Sequence, residues 1–453
     1  MRQNKLVHGL LGLLAVFHFS AAWASESEPY PRGPLLQGPI HFVYAIYYTE
    51  QPVSQPVAAL NEAIKDAGGP SQLTEKLPPD AGAAFVAATL DSHIAEDYPP
   101  PSLTMIGNFG RGVTREQALA LQKSTSALVL EFAHPASMST AALRAADKVL
   151  LLTAEKTGGF LWDEETREIF TPAEWRRRRL DTWQADIPDV RAHTVIHAYK
   201  DDKLVRAVTL GMAKFGLPDI VVNDFSWSND KPVGNLINIF AQASIEGASL
   251  TESGAMDLDL RSVRHQAFKK AVVDSSLPNA TALARLALFK GRWEEGDPHN
   301  RLIEIGFGRY AGVDNSARQS AMLDTLFGSS DGVVRVKHTD PILAASQAAK
   351  AKLPALREEF NRGLQPGQYF MLKAPFSTPT GGREWMWVEV LAWKGTAVQG
   401  LLRNEPSYVP TLHAGQTVNI SQDEVFDYIR VDGKGIREGN ETGKLMLEQS
   451  AHK

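Results

Sequence analysis

Apolar runs alternate with stretches of helical periodicity across residues 81–255, a pattern that predicts an α+β region with helices packed on a sheet. Ala84 to Leu90, Thr125 to Phe132 and Asp219 to Val222 read as strands. Arg115 to Ser124 and Ser139 to Lys156 read as helices, the second stopped by Gly158-Gly159. Val195 to Tyr199 and Leu204 to Leu210 flank the polar Lys200-Asp201-Asp202-Lys203, the signature of a hairpin. Thr171-Pro172-Ala173-Glu174 opens another helix, because threonine caps, proline suits the first position and the glutamate can bond back. Upstream, 25–80 is punctuated by proline and glycine around a single strand-like run, Ile40 to Tyr48. Downstream, 256–338 reads as a helical or mixed region. There Leu260, Val263, Ala267 and Ala271 share a helical face and Asn279 caps a second segment ending at Lys290-Gly291, with Arg301 to Phe307 and Val333 to Lys337 as strands.

The pattern changes again in 339–449. A helix opens at Asp340-Pro341 and runs to about Arg362, with Pro354 expected to kink or divide it. Five strand-like runs follow between short turns: Tyr369 to Ala374, Glu384 to Trp393, Val398 to Arg403, Thr417 to Ile420 and Val425 to Val431. That spacing predicts a small, strongly curved antiparallel sheet or partial barrel behind a helix.

The first 24 residues carry an address. Arg2 and Lys5 precede a largely apolar run from Leu6 to Ala22, and Ala22-Trp23-Ala24 offers the small residues that signal peptidase requires. Cleavage after Ala24 would send the chain to the periplasm or beyond, with no later stretch apolar enough to span a bilayer. The sequence contains no cysteine, which excludes disulfides, thiolate metal sites and cysteine nucleophiles. Its net charge of −5 argues against a nucleic-acid partner, since phosphate binding needs clustered positive charge.

Catalytic patterns are present only in fragments. His193 and His197 have the spacing of a helical metal pair, but Thr194, Val195 and Ile196 favour a strand, on which the two would stand about 13 Å apart. Ser228-Asn229-Asp230-Lys231 matches Ser-x-x-Lys, yet Lys156-Thr157-Gly158 precedes rather than follows it, and Asn229, Asp230 and Pro232 read as a loop where a helix start is needed. Gly306 to Gly312 places its third glycine one position late for a dinucleotide site. Asp163, Glu164, Glu165 and Glu168 are either paired carboxylates for glycosidic chemistry or a polar turn, and the turn is the simpler reading. Arg176 to Arg179 point around most of a helix, so ion pairs with nearby acids are expected rather than a lipid- or peptidoglycan-binding face. No cofactor, metal or catalytic residue is therefore expected.

Tyr369 to Phe376, Glu384 to Val390, Gly400 to Pro406, Leu412 to Val418 and Asp427 to Ile429 occur in an order that resembles the YegJ-like bacterial family, domain of unknown function twenty-three fourteen. The resemblance covers the C-terminal quarter and implies a domain and a fold without an activity. Where this chain has Trp385 the family often has histidine, so any chemistry of that histidine is absent here. On a strand Trp385, Trp387 and Glu389 share one face, and Glu384, Met386, Val388 and Val390 the other. The tryptophan face is either the core of the small domain or a surface for a flat or sugar-like ligand. Glu384, Trp385, Trp387, Glu389 and Asn404 are the candidate ligand or partner residues. The expected function is non-catalytic binding of an unknown protein or small ligand in the cell envelope. The alternatives are an envelope hydrolase gathering His134, His193 or Glu384 from distant segments, and an immunity-like protein that neutralises an exported toxin.

Overall fold

The computed structural model describes residues 28–329, 339–435 and 437–451. The signal segment expected at 1–24 and the strand expected at Val333 to Lys337 lie outside the described residues. Among those residues the chain is a mixed α+β protein with two six-stranded sheets, one seven-stranded sheet and a two-stranded ribbon, none of them closed.

The first sheet is centred on Ile40–Tyr48, whose apolar run lies between Ser126–His134 and Phe160–Asp163 and is buried along most of its length. Helix Ser139–Thr157 covers this sheet and stops at Gly158, which has a positive φ. A second helix, Pro56–Ala67, packs on the first and corrects the expectation of a single strand in 25–80. Its signals are present in the sequence: Pro56 starts the helix, and Gly68 closes it in the left-handed conformation. The wider frequency of proline and glycine in the segment masked them.

The second sheet runs in the order 255–259, 283–290, 302–306, 219–225, 204–210 and 195–201, so it draws strands from both sides of position 255. The predicted hairpin is present as Val195–Asp201 and Leu204–Leu210. The helix expected after Asn279 is instead the strand Leu283–Lys290. Leu, Ala and Arg give that stretch helical composition, but Ala284, Leu286 and Leu288 are buried between two antiparallel neighbours, and packing overrides propensity. One apolar core joins the first and second sheets, with Phe42, Tyr44, Phe132, Ile220, Phe240 and Leu286 among its members.

The third sheet is wholly antiparallel, in the order 417–421, 397–402, 383–394, 369–377, 427–431 and 437–439. It stays open rather than closing into a barrel. Helix Asp340–Asn361 continues undivided through Pro354 and lays Leu353 and Leu356 on one sheet face, where Phe370, Leu372, Val390 and Trp393 meet them. A smaller cluster on the same sheet holds Met386, Val388 and Leu402. Neither cluster includes a residue from the body at 28–329, so the two parts have separate cores.

Candidate functional site

The strand Arg383–Lys394 has the expected alternation. Val390 enters the core beneath the helix and Met386 and Val388 the smaller apolar cluster, while Trp385 and Trp387 stand on the opposite face and are half-buried. The large aromatic of the core is Trp393, fully buried against Phe360. Register sets the neighbours of the two indoles: Pro375 lies opposite Trp385, and Lys373 opposite Trp387. Phe426 packs against Trp385 with ring centroids 4.6 Å apart, and the Lys373 ammonium sits 5.6 Å from the Trp387 ring centroid. Burial lowers the Lys373 pKa, with Asp427 opposing the shift. The surface is thus an aromatic strip with one partly desolvated cation over it.

The three polar candidates serve the framework. The Glu384 carboxylate accepts from the backbone N–H groups of Ser407 and Tyr408, at 2.9 and 2.8 Å, and so closes the loop after strand 397–402. Asn404 Oδ1 accepts from the Trp387 N–H at 2.7 Å, which fixes the strand under the indole. Glu389 is 3% exposed and accepts from the Ser228 hydroxyl of the first body. The structure therefore brings Trp385, Trp387 and Glu389 to one face and directs Glu384 elsewhere.

Ser228, Ser226, Asn229 and Arg403 form a seam between segments too far apart in sequence for any local motif to join. Ser226 Oγ lies 3.0 Å from Ser228 Oγ, and Arg403 Nη2 donates to Asn229 Oδ1 at 2.7 Å. Thr417 N–H donates to Asp314 Oδ2 at 3.0 Å farther along the junction. Beside the seam lies a cavity of about 230 Å³ whose lining includes Ser228, Asn229, Ser320 and Arg403. The loop expected around Ser228 is corrected: a short turn, Trp227–Asn229, leads directly into helix Asp230–Ile245. Asp230 and Pro232 occupy its first turn, where proline removes no helical hydrogen bond. The Ser-x-x-Lys serine thus does precede a helix, but its partner is a glutamate from a different sheet.

A second concentration of charge joins the first two sheets and is sealed from solvent. Asp163 meets both Lys214 and Arg179, all three essentially unexposed, and Arg179 also donates to Glu168 at 3.0 Å and Thr166 at 3.1 Å. Asp163 and Glu168 are therefore buried ion-pair partners, which corrects the polar-turn reading. The turn brings them inside because they flank a tight hairpin, 160–163 with 168–170, whose both strands are buried. Burial raises the Asp163 pKa, but Lys214 and Arg179 outweigh it and hold the carboxyl below its usual range. Asp147 has weaker support: burial pushes it up to about 7 against the pull of Arg179 and Lys214, while Tyr44 donates to its Oδ1 at 2.8 Å. His193 Nδ1 stands 3.7 Å from Asp147 Oδ2, and burial together with Arg179 and Lys214 depresses the imidazole well below its usual value. Of the remaining arginines in the run, Arg176 pairs with Glu155 and Arg177 with Glu174, at 2.7 and 2.6 Å.

His193 and His197 do not converge. His193 is inside the ionic cluster, and His197 lies on the edge strand 195–201. His134 lies at the end of strand 126–134 and Glu384 in the third sheet, so the distant-residue constellation is not assembled from these three. Among the described residues no group of three or more His, Asp or Glu is placed to hold a metal ion, and no helix is long and apolar enough to cross a membrane.

Residues 339–453 match a family described as an uncharacterized protein conserved in bacteria (DUF2314). No match is found among curated proteins or among solved structures.

Proposed function

We propose that the protein is an exported, non-catalytic binding protein of the cell envelope, and that the Trp385 and Trp387 part of that third-sheet face, beyond the Glu389 seam, receives a flat, sugar-like ligand. The observation that carries this reading is the placement of Trp385 and Trp387 off the core. Two half-buried indoles on one strand face offer broad apolar area with little side-chain entropy to lose on binding. Lys373 adds a cation at the edge of that surface. Glu384, Glu389 and Asn404 each hold a framework hydrogen bond, at the loop, the seam and the strand, which supports binding rather than proton transfer. The signal-like segment at 1–24 supports an envelope location.

Titration calorimetry with chitotriose, a neutral oligosaccharide of N-acetylated sugars, tests the ligand class. A saturable heat is expected for the unaltered protein and none for Trp385→Ala/Trp387→Ala with unchanged melting. Absence of binding by the unaltered protein, or binding that survives in the variant, would overturn the reading.

One observation favours a hydrolase instead. The Ser226, Ser228 and Glu389 chain places a hydroxyl against a carboxylate at the start of helix Asp230–Ile245, beside the 230 Å³ cavity. Ester turnover that disappears in Ser228→Ala with the fold intact would establish that alternative.

A further inference from the structure

Helix Ser139–Thr157 buries Ala142, Leu143, Ala146 and Leu150 against the first sheet. Its next stripe, Ala141, Ala145, Lys148 and Leu152, recurs at spacings of four, three and four, and so lies along one side of the helix. Helix Pro56–Ala67 runs beside that stripe and ends in Gly68-Gly69. A Cβ on Gly69 would come within 2.4 Å of the Ala145 methyl, so the chain can cross here only without a side chain. The crossing leaves a groove of about 420 Å³, closed on its other side by Arg176 and Leu180.

The groove has an apolar floor and a positive rim. Ala145, Leu152 and Leu180 contribute to the floor, while Arg144, Lys148 and Arg176 are its charged lining residues; no carboxylate lines it. In a chain with net charge −5, three cations around one groove depart from the average surface. Their present partners leave them accessible. Lys148 Nζ donates to the Ala67 carbonyl at 2.9 Å, and Arg144 donates to the Ala185 carbonyl at 2.9 Å, with the nearly fully exposed Asp186 3.7 Å away. Arg176 pairs with Glu155 at 2.7 Å, and both side chains remain substantially exposed. Backbone carbonyls and exposed acids are weak competitors for a ligand that brings its own negative charge to an apolar floor.

We infer that this groove is a second ligand site, independent of the aromatic face, for a single-chain organic anion: an alkyl tail on the alanine and leucine floor and an acidic head among Arg144, Lys148 and Arg176. The volume lies within the range of small-molecule sites. A carboxylate and a phosphate monoester share the required chemistry.

Calorimetric titration of the mature chain with decanoate, decyl phosphate and decyltrimethylammonium distinguishes these heads from a general affinity for alkyl chains. Saturable binding of one or both anions, and none of the cation, is expected. Lys148→Glu should weaken anion binding about tenfold or more by reversing one rim charge, and Lys148→Arg should retain it. Both substitutions are at an exposed position, so the fold should be retained, with a small fall in melting for Lys148→Glu, which loses its bond to the Ala67 carbonyl. Leu152→Gln tests the floor separately, and Trp385→Ala/Trp387→Ala should bind the anions normally. Equal binding of the cationic amphiphile, no anion binding at millimolar concentration, or an unaltered affinity in Lys148→Glu would overturn the assignment.

Discussion

Replacing Lys214 by methionine should destabilise the body at 28–329 by about 3–5 kcal/mol, the usual consequence of removing one partner from a buried ion pair. Lys214 and Asp163 are both 0% exposed, and Asp163 would be left to share Arg179 with Glu168. Arg111 also pairs with Glu168 at 2.6 Å, so after the single change Glu168 keeps two cations while the buried Asp163 loses Lys214 and keeps Arg179 alone. Asp163→Asn/Lys214→Met removes one charge of each sign and retains the pair of Arg179 with Glu168. The double variant should therefore recover most of the loss, to within about 1–2 kcal/mol of the original protein. Urea unfolding followed by tryptophan emission is a suitable assay, because Arg179 lies 5.4 Å from the Trp175 ring centroid. A single-variant loss below about 1 kcal/mol would refute the pairing, since that is the range of an exposed bridge. A double variant as unstable as the sum of its parts would refute the coupling.

Asp147→Asn should stabilise the protein at pH 8, by up to a few kcal/mol, and do little at pH 4. The raised pKa of about 7 means that the folded state holds a proton the unfolded chain has lost, so wild-type stability falls as pH rises from about 4 through 7; unfolding measured across that window checks it. His193 has the opposite slope: its depressed pKa leaves the folded imidazole neutral, so stability falls as pH drops below about 6.5, and His193→Gln should flatten that acid limb in the same scans. Ser228→Ala should cost about 1–3 kcal/mol in docking of the third sheet by leaving the buried Glu389 carboxylate without that donor, read as faster proteolysis between the two cores. Intact mass of protein recovered from the periplasm should correspond to a chain beginning at Ser25, and retention of Met1 in that fraction would contradict cleavage.

Strands 40–48 and 383–394 were legible because their apolar pattern is local, and the hairpin at 195–210 because its polar turn interrupts two β-branched runs. Helix 139–157 announces its end with two glycines. Leu283–Lys290 was not legible: its composition is helical, and only neighbours at 255–259 and 302–306 make it a strand. The same limitation applies to charge. Asp163 and Glu168 look like turn residues until Arg179 and Lys214 arrive from later segments. Ser228 and Glu389 are 161 positions apart, and no motif window joins them. Strand parity did group Trp385, Trp387 and Glu389, since alternation depends only on the strand itself. It could not decide which face would carry the helix, and hence which would become core.

The most direct test of the binding account follows the indole N–H resonances of the full chain during titration with chitotriose. The sequence has nine tryptophans, of which Trp23 precedes the expected cleavage site, and Trp→Phe substitutions identify each signal. The account predicts saturable shifts at Trp385 and Trp387, with the buried Trp175 and Trp393 unmoved. Shifts confined to other tryptophans, or a spectrum unchanged at saturating oligosaccharide, would contradict it.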